Sequence, residues 1–543
     1  MKRGFIASFV LAVLAALFAT QALAAGSAQR GGTLRGMFAT DVDFIDPSLA
    51  YYTHSWQIMG ATGANLLRFA DAEGSGGSRL VPEVAAGFPT VSRDGRTYTF
   101  TLRNTFRFSN GKRVTAANFA WAINRALSSQ QQSPAGPFVA DVVGAQAVLD
   151  GRARRASGVR VLGPTRLQLR LTQAAPDILT RLAMPFFQAI DTATGINPQG
   201  AKAPLPSAGP YYVATWQPNS RLVLKRNPHY KRSSNRFATR PANYDQIEYD
   251  ANVNLDAQVL RIRAGQADFA AEGISPASHA DLSRQYGINR RQYQVRQVPI
   301  TYFVSMNTTR GLFRDANVRK AVNLAIDRQA MLAQRGYLAG KRADQILPPG
   351  IPGFRDHNIW PLRFSEQSLA RARQLMRGRT TKALMLAGNR GASLTIPQIV
   401  KFNLAKIGID METRHLASGP LSATVGRRGE PFELYLGGWH ADYPDPNNFV
   451  DILLNGNNIR EANNNNTAYF NVPAMNRRLE AAAKLSGAKR YQTYAQLDLE
   501  ISKNHAPWAS YSYANNRDFV SARVGCYSYH PTYSFNLVVA CRR

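Results

Sequence analysis

Apolar and polar positions alternate in short runs separated by turn-forming clusters, and the period of the pattern changes repeatedly along the chain. Tyr98, Phe100 and Leu102 interleave with Thr99 and Thr101, the period-two signature of a strand with one buried face. Ser109-Asn110-Gly111 supplies a turn, and Thr115 then stands where a helix needs its N-cap. Phe119, Ala122, Ile123, Ala126 and Leu127 follow at helical spacing on one face. Leu167, Leu169 and Leu171 alternate with Gln168 and Arg170, and Leu222 and Leu224 repeat the strand pattern after Gln217-Pro218-Asn219. Val318, Ala321, Val322 and Ala325 return to helical spacing behind a capping Asp315. Strands and helices alternate without a strict repeat, which predicts a mixed α/β protein.

The N-terminus departs from this pattern. Lys2 and Arg3 precede an almost wholly apolar run from Phe5 to Phe18, and Ala22-Leu23-Ala24 places small residues where a signal peptidase reads. Residues 1–24 are therefore expected to be a secretory signal, with an uncleaved anchor as the competing reading because the apolar stretch approaches the length of a membrane span. No cysteine lies near the cut, so a lipid anchor has no support. The mature chain is expected outside the cytoplasm, in a periplasm or cell wall. At 543 residues the full chain is too long for one simple core, so two or three packed units are expected. Polar punctuation falls at 74–78, 204–210, 231–241 and the asparagine-crowded 455–466. None of these is long enough to be a free linker, which favours packed lobes with more than one chain crossing.

Composition narrows the chemistry. Cys526 and Cys541 are the only cysteines, and outside the cytoplasm such a pair can oxidise. A disulfide pinning the C-terminal tail is expected, with two separate buried thiols as the alternative. Two cysteines without clustered histidines do not complete a structural metal site, and no cofactor is expected. The formal charge is +31, but the arginines are scattered, with no basic block or aromatic-interleaved stripe, so nucleic acid is not the expected partner. The charge reads as a surface property suited to an anionic exterior. No phosphate-cradling Gly-Lys-Ser/Thr loop, His-Glu-x-x-His helix or Gly-x-Ser-x-Gly elbow is present, and His440 beside Asp442 is a weak dyad. A non-enzyme is expected, and a hydrolase without such a motif is the enzyme-class alternative.

Several segments together are similar to the family 5 extracellular solute-binding proteins of ABC transporters, of the dipeptide/oligopeptide-binding type. They are Gly31-Gly32-Thr33-Leu34 with Asp46-Pro47, Leu80-Val81-Pro82-Glu83-Val84-Ala85, and Asp94 to Arg103 running into Phe108-Ser109-Asn110-Gly111. Ser207 to Tyr211, Leu224 to Tyr230, Asn307 to Arg328 and Gly438-Trp439-His440-Ala441-Asp442-Tyr443-Pro444-Asp445-Pro446 follow in the family's order. The resemblance implies the two-lobed periplasmic-binding-protein fold (type II), with an extra subdomain in the first lobe. It places the first lobe at 25–70 and 204–300 with a C-terminal return at 509–543, the inserted subdomain at 71–203 and the second lobe at 301–508.

The resemblance also implies function and roles. A solute, first of all a peptide, is captured by lobe closure and delivered by a monomeric protein to the membrane permease of an ABC importer. Asp442 holds the ligand's α-ammonium group, Trp439 forms an apolar wall, and Tyr443 and Asn65 add contacts. Each has a competing structural role: a turn-capping aspartate, a core aromatic, or an asparagine facing solvent. Many family members carry an acidic residue near Ala64, and its replacement here departs from a standard oligopeptide site. The alternatives are a non-peptide ligand on the same fold, such as a metal complex, an opine or a glycan, and a wall- or polyanion-binding protein.

Overall fold

The computed structural model describes residues 29–230 and 240–543. The signal sequence expected at 1–24 and most of the 231–241 segment lie outside the described residues. The patterned segments form the expected elements. Thr97–Thr101 is a strand with Tyr98 and Phe100 buried. Ala116–Leu127 is a helix whose Thr115 cap and Asn118 form a capping box, and its apolar face is buried. Ala316–Ala325 is a helix in which the Asp315 side chain accepts from the Asn317 amide.

Three sheets organise the chain. A five-stranded sheet takes Phe269–Ala270, Thr33–Met37, Gln246–Asp250, Arg221–Arg226 and Tyr211–Gln217 in spatial order. A four-stranded antiparallel sheet is built from Thr90–Val91, Thr97–Thr101, Arg166–Arg170 and Val159–Gly163. A six-stranded sheet runs Gly340–Arg342, Trp508–Phe519, Tyr293–Met306, Leu434–His440, Thr381–Gly388 and Ile409–Leu416.

Two long strands carry the chain between cores. Tyr293–Met306 pairs antiparallel with Trp508–Phe519, with the register shifting between Gln297 and Thr301. At one end of this ribbon, Tyr293 and Phe519 pack with Met37, Val259 and Leu282 beside the five-stranded sheet. At the other end, Val304, Met306 and Ala509 pack with Val318, Val322 and Leu434. The ribbon thus belongs to two apolar cores at once. Cys526 and Cys541 are joined as a disulfide, which clamps Val524–Gly525 to Cys541–Arg542.

Two family-like motifs are structural. Asp46 receives both terminal nitrogens of Arg125, at 2.9 and 2.7 Å, with both side chains buried. Glu83 receives Arg240 Nη1 at 2.7 Å and the Asn65 amide at 2.7 Å. Among the described residues, no helix is long and apolar enough to cross a membrane.

Candidate functional site

The strand Leu434–His440 is the inner wall of the site. Its register with Tyr293–Met306 sets Tyr302 opposite Gly438 and Ile300 opposite His440. The Ala441 amide donates to the Pro299 carbonyl. Bonded and non-bonded pairs alternate in an antiparallel ladder, so Trp439 and Gly437 bond inward while Leu436, Gly438 and His440 turn their N–H and C=O groups outward. On that outer side, the strand Thr381–Gly388 pairs only with Leu434 and Tyr435. Beyond Tyr435 the edge has no neighbouring strand among the described residues, and Gly438 is exposed. Glycine is required there because a Cβ would lie 2.5 Å from the Tyr302 ring.

A cavity of ~680 Å³ opens along this edge. One wall includes Tyr51, Ser133, Pro134 and Pro137; the other includes Phe303, Tyr435, Trp439 and Leu453. The size and largely apolar lining suit a small organic ligand fixed by a few polar groups.

Asp442 stands where the strand turns away. Tyr51 Oη donates to Asp442 Oδ1 at 2.9 Å, and Asn448 Nδ2 donates to Oδ2 at 2.8 Å. Asn448 Oδ1 accepts from the Asp442 amide at 2.9 Å and from Trp439 Nε1 at 3.1 Å, which fixes both side chains with one asparagine. Asp442 is buried, and among the described residues no cation pairs with it. Burial pushes its carboxyl pKa up to about 6 against the pull of the two hydrogen bonds. Tyr51 is held well above 10 by burial and the facing Asp442.

Some other buried carboxylates are ion-paired, Asp46 with Arg125 and Asp445 with Arg490, each at 2.7 Å, whereas Asp518, also raised by burial, accepts from Tyr527 Oη at 2.7 Å and has no ion pair among the described residues. Asp498, also pushed to about 6 by burial, accepts from two backbone amides, Gln345 and Ser502. Asp442 has two neutral donors and unused lone pairs; it is not itself among the cavity-lining residues, but it bonds Tyr51, which is, and shares Asn448 with the lining Trp439.

The structure separates the remaining site expectations. Trp439 lines the cavity. Tyr443 does not: its hydroxyl donates to Asn447 Oδ1 and its ring packs edge-on against Phe138, with centroids 6.2 Å apart. Asn65 is also outside the lining and is buried rather than solvent-facing, because its amide donates to the carbonyls of Leu182 and Met184. Both are corrected to packing roles. His440 and Asp442 share no hydrogen bond: His440 Nε2 meets the Pro531 carbonyl, and burial lowers its pKa to about 4. Pattern reading missed Tyr51 and Asn448; a Tyr-Tyr pair before a helix and an Asn-Asn pair after a proline carry no local signal of a shared carboxylate.

A buried ion-pair chain crosses beside the site. Asp141 pairs with Arg181 at 2.7 Å, Arg181 with Asp177 at 3.3 Å, Asp177 with Arg490 at 3.8 Å, and Arg490 with Asp445 at 2.7 Å.

The sequence profile of the bacterial extracellular solute-binding proteins, family 5, matches residues 79–461. The chain belongs to that family. Among family 5 relatives, the Salmonella typhimurium periplasmic oligopeptide-binding protein OppA is 23% identical over 556 aligned residues, covering 97% of this chain and 96% of that protein. The Escherichia coli periplasmic murein peptide-binding protein MppA is 25% identical over 464 residues, covering 81% and 80%. A solved clavulanic acid biosynthesis oligopeptide binding protein 2 superposes with a TM-score of 0.86 at 23% identity, covering 95% of this chain and 96% of that one. The Escherichia coli murein tripeptide binding protein MppA gives 0.78 at 22%, covering 95% and 98%. These likenesses establish the family 5 fold, two α/β lobes, for this chain.

Proposed function

We propose that this family 5 protein is an extracytoplasmic receptor that encloses a peptide between its lobes and delivers it to the permease of an ABC importer. The observation that carries this reading is Asp442, a desolvated carboxylate with no cation partner among the described residues, at one end of a strand edge that borders the ~680 Å³ cavity. A ligand ammonium completes such a carboxylate by a charge-assisted hydrogen bond, stronger than a neutral one. The outward groups of Gly438 and His440, past the end of the pairing with Thr381–Gly388, can accept an extended backbone as an added strand, a recognition mode that leaves side chains free to vary. Trp439 supplies the apolar wall. The names of the relatives, OppA and MppA, support peptide as the solute class, and all are named as binding proteins rather than enzymes.

In this reading the first lobe comprises 25–300, with 71–203 as its inserted subdomain, together with 509–543; the second comprises 301–508. Ligand contacting both lobes shifts the population toward the closed form, which the permease recognises. The protein works as a monomer.

A thermal melt of ligand-stripped protein against pools of di- to pentapeptides, at low and high salt, tests the proposal. One pool at a hundredfold excess over its dissociation constant should add about 2.7 kcal/mol of stability. The shift should survive high salt, because an enclosed ion pair is poorly screened. No shift with any pool would exclude peptide capture, and a shift abolished by salt would favour a surface polyanion site instead.

A further inference from the structure

A second cavity, of ~370 Å³, opens on the other face of the six-stranded sheet. The register that sets Tyr302 opposite Gly438 and Ile300 opposite His440 puts Ile300, Tyr302 and His440 on one face, and Thr301, Phe303 and Trp439 on the other. Phe303 and Trp439 line the ~680 Å³ cavity, whereas Ile300, Tyr302 and His440 line the smaller one. The two cavities therefore lie on opposite faces of the sheet, with Gly438 lining the larger and His440 the smaller. They differ in chemistry. Besides histidines, the smaller cavity has three charged lining residues, Glu272, Arg335 and Arg517.

Glu272 is already satisfied. Its Oε2 accepts from the Ala39 and Thr40 amides at 2.6 and 2.8 Å, and its Oε1 accepts from the Thr40 hydroxyl at 2.6 Å and lies 3.8 Å from His54 Nδ1. The two arginines are not. Both are half-buried, and among the described residues neither makes an ion pair. The Arg335 guanidinium lies 3.3 Å from the centroid of the Tyr302 ring, and its Nε is buried with no hydrogen-bond partner among the described residues. Arg517 Nη1 donates to the Tyr337 carbonyl at 2.8 Å. Burial lowers the Arg517 pKa and Arg335 lowers it further, so two like charges are held within reach of one another. His279 and His440 add no charge at neutral pH, because burial lowers them to about 3 and about 4. Buried arginines elsewhere differ. Arg328 gives its N–H groups to the carbonyls of Ser510, Asn323 and Pro361 and to Asn323 Oδ1, and Arg319 to the carbonyls of His505, Phe313 and Arg314.

We infer that the ~370 Å³ cavity is an anion site, in which Arg335 and Arg517 together hold a carboxylate or a phosphate group. A half-buried cation without a counter-charge is costly, and a second cation within reach adds repulsion; an anion between them relieves both. The planar N–H groups of a guanidinium match the oxygens of either anion. The stack on Tyr302 fixes the Arg335 plane in advance, so less freedom is lost on binding. Two sources supply such a group. A peptide added along the edge at Gly438 and His440 sends alternate side chains to opposite faces, so that one glutamate or aspartate side chain enters this cavity while its neighbours face the apolar one; this source rests on the peptide reading above. A free anion needs no peptide.

The test is calorimetric titration of ligand-stripped protein at physiological salt, where surface charge is largely screened. The probes are inorganic phosphate and tri-alanine peptides carrying one glutamate at the first, second or third position, each with its glutamine counterpart. If the side chain is the source, one glutamate peptide should bind wild type about tenfold or more tighter than its counterpart, and the pair should come within about twofold in Arg335→Gln and in Arg517→Gln. If a free anion is the source, no pair separates, and phosphate should bind wild type about tenfold or more tighter than it binds either variant. Arg335→Lys, which keeps the charge, should retain part of either signal. Peptides bound without regard to charge, together with no binding of phosphate, would overturn the inference and leave peptide capture standing; so would a preference that survives both glutamine substitutions. Phosphate bound through the two arginines, with no peptide bound and no melting shift from the peptide pools, would uphold the anion site and remove the peptide reading.

Discussion

Replacing Asp442 by Asn should move stability and affinity in opposite directions. Burial raises the Asp442 pKa from 3.8 to about 6 in the folded, empty protein. The unfolded chain ionises at the lower value, so across this window the folded chain holds a proton that the unfolded chain has released. Stability therefore falls as pH rises from about 4 to about 6 and stays lower above that. Roughly two units at 1.36 kcal/mol each place the cost near 3 kcal/mol at neutral pH, an order-of-magnitude figure. Asp442→Asn removes this contribution. It also offers one acceptor where Tyr51 and Asn448 now find two, at a cost of about 1–3 kcal/mol at every pH. The pH dependence separates the two effects. In urea unfolding of ligand-stripped proteins, variant stability minus wild-type stability should rise by about 3 kcal/mol between about pH 4 and about pH 7.5. Asp451 and Asp498, also raised to about 6 by burial, titrate in both proteins and cancel. Peptide affinity in the variant should fall by about 2–5 kcal/mol at neutral pH. A stability difference that does not change with pH would refute the reasoning, because Asp442 would then not be an ionised, desolvated group waiting for a cation.

Three further outcomes follow from the geometry. Arg490→Met leaves buried Asp445 and Asp177 without their shared cation and should cost about 3–5 kcal/mol, read as a lower unfolding midpoint. Gly438→Ala puts a Cβ against the Tyr302 ring and onto the free edge, so it should lower the melting temperature and weaken every peptide by a similar factor in calorimetry. Replacing both Cys526 and Cys541 by Ser should cost about 3 kcal/mol, the loop-closure value for a separation of 15 residues, and the wild-type melt should drop equally on reduction.

The alternation of Tyr98, Phe100 and Leu102 and the helical spacing of Phe119 to Leu127 were legible because each element buries one face, and a buried face writes its period into the sequence. The ordered motifs pointed to the family, although two of them, Asp46 and Glu83, work as buried partners of Arg125 and Arg240 rather than as ligand contacts. Asp442 and Trp439 were reachable through that resemblance. Tyr51 and Asn448 were not, because their significance lies in a contact hundreds of residues away or across a turn, and no local period marks them. Tyr443 and Asn65 misled for the complementary reason: a polar aromatic or an amide beside a motif looks the same in sequence whether it faces a cleft or bonds to the core.

The most direct measurement is calorimetric titration of ligand-stripped wild-type protein with one short peptide carrying a free N-terminus and with the same peptide N-acetylated. Acetylation should weaken binding by about 2 kcal/mol or more, because it deprives Asp442 of the ligand's ammonium. Equal affinity for the two peptides would contradict the role given to Asp442.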